Sequence, residues 1–217
     1  MPARVLDVGG GIGVHAEWLS ADGYAVELLD PVPRHVQRAA RLAGVSAPLG
    51  DARPLPVADA SQDAVLLLGS LYHLPDRADR VRVLTEARRA LRPGGVIAAA
   101  TINRHAAVHD AIYLGHYRQE RQREAARAAA TNGITLSPGR GFPAYLYDPD
   151  GGAGEFADAG FPDVERYGLE GGFWLYGDIG DWLEDPERRA LLLDAQRSPA
   201  LAAQARRSVS PSARRGT

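Results

Sequence analysis

A glycine-rich turn near the start of the chain has the residue types of a cofactor-binding loop. It follows directly on the apolar run Arg4–Val8, which predicts a strand buried on both faces. Glycines let the backbone adopt positive φ angles and approach a ligand closely. The residues assigned to cofactor binding on this basis are Asp7, Gly9, Gly10, Gly11 and Gly13.

Two classes of cofactor bind turns of this kind, and two residues separate them. A dinucleotide fingerprint requires a small residue for helix packing where this chain has Val14. The Asp7 carboxylate would lie unfavourably beside a pyrophosphate but would tolerate an ammonium and a sulfonium. The turn therefore favours S-adenosylmethionine over NAD.

Strands and helices alternate in the first half of the chain. After the first strand, further strands are predicted at 24–29, 45–49, 63–68 and 96–102, separated by helices at 14–22, 34–43 and 77–91. This spacing predicts an α/β fold with a doubly wound, mostly parallel sheet, and Pro48 predicts that the 45–49 strand lies at the sheet edge. Ligands bind such sheets at the carboxyl ends of the strands.

The second half of the chain departs from this rhythm. Residues 106–130 are predicted as a helix and 132–142 as a loop, so 103–147 forms a helical insertion after the fifth strand. A helix at 150–159, a strand at 164–169 and helices at 178–182 and 188–196 are predicted beyond it. We expect a single domain at 1–197 and a poorly ordered tail at 198–217, where apolar residues are few.

The order and spacing of these motifs resemble class I S-adenosylmethionine-dependent methyltransferases of the small-molecule type. The resemblance covers residues 4–102 and returns at 156–169; it rests on Val5–Gly13, Asp30, Gly50-Asp51-Ala52, Asp63–Leu68 and Leu91–Gly95. It implies a Rossmann-like fold whose glycine loop lies against the methionine and ribose of the cofactor. The other contacts it implies are Asp30 with Pro31 at the ribose hydroxyls, Asp51 and Ala52 at the adenine, and Gly69, Ser70 and Leu71 beside the sulfonium.

Plainer interpretations of these residues stay open. Asp30-Pro31 is also a common turn sequence, and Asp51 could cap a turn before the proline-rich loop at 53–59. The glycines could also serve tight packing alone.

Candidate residues for the acceptor side follow the strand at 63–68 or lie in the insertion. Methyl transfer from a sulfonium needs alignment and desolvation, and a general base only if the acceptor is protonated. His73 is the candidate base; its alternative role is to hydrogen-bond the cofactor or to orient a neighbour. Tyr72, His109, Tyr113 and Tyr145 are predicted to contact a small organic acceptor. No metal site is predicted, because His105 and His109 have no further partner at a ligand spacing.

The composition argues against several classes of protein, among them nucleic-acid-binding, disulfide-bonded and membrane-spanning proteins. The chain has 217 residues, a formal net charge of −2 and no cysteine, which argues against a nucleic-acid partner and excludes disulfides. No apolar run approaches the roughly 18 residues of a membrane span, and Met1–Ala3 leaves no room for a signal peptide. We expect a cytoplasmic protein without a membrane partner, and a homodimer stays open.

Two departures from the family keep other functions under consideration. Family members carry helices before the first strand, where this chain has only Met1–Ala3, and the residues after 197 do not specify a last antiparallel strand. A catalytically impaired scaffold or a truncated protein is therefore one alternative. An NAD-dependent oxidoreductase is a second, disfavoured by Val14 and Asp7.

Overall fold

The structure is a computed structural model that describes residues 1–136, 143–148, 152–167 and 179–197. The chain divides into two compact units, residues 1–162 and 163–217. The predicted single domain at 1–197 stays a prediction, and the predicted tail at 198–217 lies outside the described residues.

A parallel sheet of five strands organises the first unit. Its strands are β1 (Arg4–Val8), β2 (Ala25–Leu29), β3 (Val45–Ser46), β4 (Gln62–Leu67) and β5 (Leu91–Ala99), in the order β3-β2-β1-β4-β5. The register aligns Leu6 of β1 with Glu27 of β2 and Val65 of β4. The predicted α/β class and parallel sheet are confirmed, and β3 lies at the edge. Because the strand order reverses at β1, a crevice opens at the carboxyl ends of β1 and β4.

Helices cover both faces of this sheet, and β1 directs apolar side chains to each face. Leu6 and Val8 belong to a core with α3 (Arg77–Ala90). Val5 points to the opposite core, which contains residues of α1 (Val14–Ala21) and α2 (Pro33–Ala39). Asp7, two residues from Val5, is thereby directed towards the α1 and α2 face.

The insertion after β5 is more broken than the sequence predicts. The single helix at 106–130 is wrong: α4 (Ala106–Tyr113) and α5 (Glu120–Asn132) are separated at Gly115, whose φ of +71° is incompatible with a continuous helix. The predicted loop at 132–142 is wrong in its first part, since β6 (Ile134–Leu136) pairs antiparallel with β7 (Pro143–Tyr145). Residues 137–142 lie outside the described part.

The end of the first unit and the described part of the second contain short helices. They are α6 (Gly152–Asp158), α7 (Ile179–Glu184) and α8 (Pro186–Arg197). The strand predicted at 164–169 is wrong over its described part, because residues 161–167 form no regular element. Alternate positions there place Val164 with Arg166 and Glu165 with Tyr167, so neither strand face would be apolar. Across the described residues, no helix has the length and apolar character to cross a membrane.

Candidate functional site

The carboxyl ends of the central strands meet around the glycine loop at residues 9–13. The Gly9 N–H donates to the Leu29 carbonyl oxygen at 2.7 Å, which ties the loop to the end of β2. The Ser70 hydroxyl donates to the Val8 carbonyl oxygen at 2.7 Å, which ties the segment after β4 to the end of β1. The structure thus brings the ends of β1, β2 and β4 together at one edge of the sheet.

Two glycines show that the loop is packed on one side and open on another. A Cβ at Gly10 would lie 2.5 Å from Asp7 Oδ2 and 2.7 Å from a methyl carbon of Leu28. Gly11 has a φ of +59°, a left-handed conformation that favours glycine, yet a Cβ there would meet no atom within 4 Å. The open position is the one at which a ligand could approach the backbone.

Asp30 holds the open part of this loop in place. Its side chain is 4% exposed, and Oδ2 accepts from the Gly11 N–H at 2.9 Å. Oδ1 accepts from the Val32 N–H at 2.9 Å and lies 3.1 Å from His35 Nδ1. The Val32 contact is the turn that the plainer interpretation expects, whereas the Gly11 contact joins two strand ends. Pro31, beside it, is exposed.

His35 is a contact of this site that the sequence analysis missed. It lies on α2 and faces the same Asp30 oxygen as Val32. Its position five residues after the acid, in the first turns of a helix that begins at Pro33, is the signal that could have identified it.

Asp51 has an arginine partner two residues along the chain. It accepts from the Arg53 N–H at 2.9 Å, from Nε at 2.8 Å and from Nη2 at 2.6 Å. These hydrogen bonds hold the pKa of Asp51 below its usual range. Arg53 Nη1 also donates to Asp79 of α3 at 3.0 Å. The turn is therefore present, Ala52 packs against the core, and the adenine contact stays a prediction.

Asp7 is buried beneath the glycine loop. Its side chain is 1% exposed, and Oδ2 has no hydrogen-bond partner among the described residues. Burial raises the pKa of Asp7 to about 6; the charge of His15 opposes this shift and that of Asp30 adds to it. A buried carboxyl without a donor favours a cationic or donor group nearby.

The position of Val14 does not support the sequence argument against NAD, which assumed that this residue packs between helix and sheet. Its side chain is 62% exposed, so it does not pack between helix and sheet. Gly13 has the packed position instead, because a Cβ there would lie 2.5 Å from a methyl carbon of Leu42. Of the two sequence arguments against NAD, only the Asp7 carboxylate agrees with the structure.

The segment after β4 carries the candidate base. Gly69 lies beside the Gly9 carbonyl oxygen, and Leu71 is fully buried in the core. Tyr72 is half-buried and His73 exposed, with ring centroids 4.7 Å apart. Partial burial of the imidazole lowers the pKa of His73 and the charge of Asp30 partly offsets this, so the neutral form is favoured.

The residues predicted to contact an acceptor fall into two groups. Tyr145 on β7 is half-buried, and β7 packs against the turn that carries Tyr72 and His73. His109 and Tyr113 are exposed on α4, a helix without a buried side chain. The structure therefore brings Tyr72 and Tyr145 to neighbouring elements and leaves the two α4 residues on the surface.

A buried ion pair beside Tyr145 was missed by the sequence analysis. Arg80 of α3 and Glu155 of α6 are 1% and 4% exposed, with Arg80 Nη2 donating to Glu155 Oε1 at 2.6 Å. The sequence contained a signal for this pair: Arg80 has the helical spacing of Val83, Leu84 and Ala87, which form the apolar face of α3, so a charged residue was to be expected on a buried face.

No metal centre is found in the described ranges, which contain no group of three or more histidine, aspartate or glutamate side chains that could hold an ion.

Comparison with known proteins identifies the part of the chain that carries this arrangement. The model of a methyltransferase domain family matches residues 6–99, from β1 to the end of β5. Methyltransferase GfsG of Streptomyces halstedii is 39% identical over 107 residues, which cover 46% of this chain and 37% of that protein. A ubiquinone biosynthesis O-methyltransferase of Methylocella silvestris is 39% identical over 106 residues, 46% of this chain and 40% of its own length.

Other relatives and one solved structure agree with this match. The ubiquinone/menaquinone biosynthesis C-methyltransferase of Acidiphilium cryptum is 36% identical over 99 residues, 42% of this chain and 39% of that protein. The chain thus spans about two fifths of the curated relatives it matches. A crystal structure of a SAM-dependent methyltransferase from Methanosarcina mazei has the same fold, with a TM-score of 0.54 and 19% identity over 67% of this chain and 73% of that chain.

Proposed function

We propose that this protein transfers the methyl group of S-adenosylmethionine to a small organic acceptor, because residues 6–99 match the model of a methyltransferase domain family and the relatives are named as methyltransferases. The observation that carries the proposal is the glycine loop, open at Gly11 and held there by Asp30 from the neighbouring strand end. The family and fold imply the cofactor, and the residues present fit it.

The fit rests on charge and on space. S-adenosylmethionine carries an ammonium and a sulfonium, and two buried carboxyl groups, Asp7 and Asp30, lie at this edge of the sheet. Asp7 Oδ2 has no hydrogen-bond partner in the described chain, so a cationic group would satisfy it. Gly11 leaves the space into which a ligand would extend.

When bound, this cofactor supplies a methyl group on a sulfonium and a good leaving group, so the chain has to align the reactants and exclude water. Asp30 orients the loop through the Gly11 N–H and has carboxylate lone pairs for two neighbouring hydroxyls. His73, whose lowered pKa favours the neutral imidazole, would take the proton of a hydroxyl acceptor at one of its ring nitrogens.

We propose hydroxylated aromatic rings as the first acceptor class to test. Two of the relatives are named for O- and C-methylation in quinone biosynthesis. Tyr72 and Tyr145 place aromatic side chains on neighbouring elements beside the candidate base His73, which suits a planar acceptor.

Calorimetric titration tests the cofactor part of the proposal. S-adenosylhomocysteine should bind the folded protein, and NAD under the same conditions should produce no binding heat. Absence of binding of S-adenosylhomocysteine to folded protein would contradict the proposal, whereas binding of NAD alone would favour the oxidoreductase.

The acceptor part is tested by mass spectrometry with methyl-deuterated S-adenosylmethionine. When 3,4-dihydroxybenzoate, catechol and hydroquinone are offered as acceptors, at least one of them should receive the deuterated methyl group. His73→Gln should lower its rate and leave binding of S-adenosylhomocysteine unchanged. If the protein binds S-adenosylhomocysteine but labels no compound of the panel, hydroxylated rings are the wrong acceptor class.

A further inference from the structure

The guanidinium of Arg80 is enclosed by partners from three other segments of the first unit. Nε lies 3.2 Å from Glu155 Oε1 and 3.0 Å from Oε2, and Nη2 donates to Oε1 at 2.6 Å. Both carboxylate oxygens of α6 thus face one side chain of α3, in the paired geometry that makes arginine–carboxylate contacts directional.

The remaining nitrogen of Arg80 holds the segment that follows the candidate base. Nη1 donates to the carbonyl oxygens of Leu74 and Pro75, each at 2.8 Å. These are the two residues directly after His73. The arginine therefore defines where the chain leaves the 71–73 turn.

The flat face of the same guanidinium lies on the insertion. Its central carbon is 3.4 Å from the ring centroid of Tyr145 on β7 and 5.5 Å from that of Tyr147. The Tyr147 hydroxyl donates to Glu155 Oε2 at 3.1 Å. One ion pair thus joins the His73 segment to the strand that carries Tyr145.

Fold stability alone does not account for a pair of this kind. A buried ion pair is often replaced by apolar side chains of similar volume without loss of stability, since its desolvation offsets its attraction. What apolar side chains cannot reproduce is the directed contact with two carbonyl oxygens and one ring face.

We infer that Arg80 and Glu155 are positioning residues for the acceptor side of the site, which hold Tyr72 and His73 at a defined distance from Tyr145. This inference rests on the proposed function for the identity of the acceptor side. It assigns no contact with the cofactor to either residue.

The test is a double variant, Arg80→Met with Glu155→Met, which removes both charges and keeps the side-chain volume. Hydrogen–deuterium exchange in the presence of S-adenosylhomocysteine should be faster by about tenfold at residues 71–75 and 143–147. Exchange at residues 9–13 and the dissociation constant of S-adenosylhomocysteine should stay within about twofold of wild type. For any phenol that the wild type methylates, kcat/KM should fall by about tenfold or more.

The matched control removes another ion pair between the same two helices. Arg77 of α3 and Asp158 of α6 form an exposed pair. Arg77→Met with Asp158→Asn should change neither exchange nor kinetics. If the first double variant does not fold, Arg80→Lys keeps the charge and loses the planar fork, and it should show the same pattern to a smaller extent.

Each outcome separates this inference from a structural role and from failure of the proposed function. Unchanged exchange at 71–75 and 143–147, or equal acceleration at residues 9–13, would overturn the inference. Unchanged kcat/KM for a phenol would overturn it as well. A wild type that does not bind S-adenosylhomocysteine contradicts the proposed function, and the selective exchange pattern still tests whether Arg80 and Glu155 order the two segments.

Discussion

The strand ends around the glycine loop at 9–13, which we propose as the cofactor edge, and the insertion at 103–147 are held in place by different means. At the cofactor edge, the loop at 9–13 is positioned by backbone hydrogen bonds, positive φ angles and the Asp30 carboxylate. In the insertion, α4 has no buried side chain, and β7 is joined to the sheet side through Arg80. The first arrangement follows from neighbours in the sheet. The second follows from Arg80, which contacts Tyr145 of the insertion and pairs with Glu155, 75 positions further along the chain.

The strongest test of this contrast is Arg80→Met alone. It leaves Glu155 buried without a partner, so we expect a loss of about 3–5 kcal/mol in the free energy of unfolding. Urea denaturation measures it, with Arg77→Met as the exposed control, for which we expect less than about 0.5 kcal/mol. Similar losses for both variants would show that the ion pair is not a special link between the insertion and the sheet.

The next effect concerns the cofactor edge and depends on pH. The folded pKa of Asp7 is raised from 3.8 to about 6, so its protonated form is favoured in the fold. Its contribution to stability is fully present below about pH 4 and is lost as pH rises through about 6. Asp7→Asn stays neutral, so relative to wild type it should gain up to about 3 kcal/mol between pH 4 and 8.

Urea denaturation at several pH values measures this gain, and the pH dependence is the informative part. A difference between Asp7→Asn and wild type that is constant from pH 4 to 8 would contradict the burial of an ionisable Asp7. We also expect the variant to bind S-adenosylhomocysteine more weakly than wild type, because it lacks a carboxylate for the ammonium.

Asp30→Ala should affect ligand binding at the cofactor edge. It removes the acceptor of the Gly11 N–H, and we expect affinity for S-adenosylhomocysteine to fall by about 1–3 kcal/mol. Calorimetry measures it, and Asp22→Ala, an exposed acid at the end of α1, is the control that should bind normally. An unchanged dissociation constant would reduce Asp30 to a turn residue.

The smallest expected effect on stability is that of Gly11→Ala. An alanine with left-handed backbone angles lowers the stability of the fold by about 1–2 kcal/mol. The space around Gly11 is open, so the added methyl group makes no clash within the protein. The added methyl group would extend into the space assigned to the ligand, so binding of S-adenosylhomocysteine should weaken even where the protein stays folded. Normal binding by this variant would place the ligand elsewhere on the loop.

The sequence predicted the strands of the parallel sheet well because their signals are local. Apolar runs, the glycines and the acids after the strands lie within short segments, and each segment corresponds to one strand and its end. The sheet and its edge strand followed from these patterns. Val14 shows the limit even there, because its exposure depends on how α1 packs on the sheet.

The insertion and the segment at 164–167 were predicted less well because they depend on tertiary contacts. Gly115 divides a helix that composition alone makes continuous. The 164–167 segment carries two large apolar residues, neither supported on its own strand face, so β propensity did not produce a strand. Arg80 has the spacing of a core residue, and its tertiary contacts with Glu155 and with the Leu74 and Pro75 carbonyl oxygens explain a charge at that position.

The buried pair also has a consequence for how such a chain can evolve. Changing Arg80 or Glu155 alone leaves a buried charge without a counterion, so each single variant should be unstable. Changing both residues together avoids this intermediate. Among relatives with this insertion, we therefore expect positions 80 and 155 to covary, although α3 and the helix that carries position 155 lie far apart in the sequence.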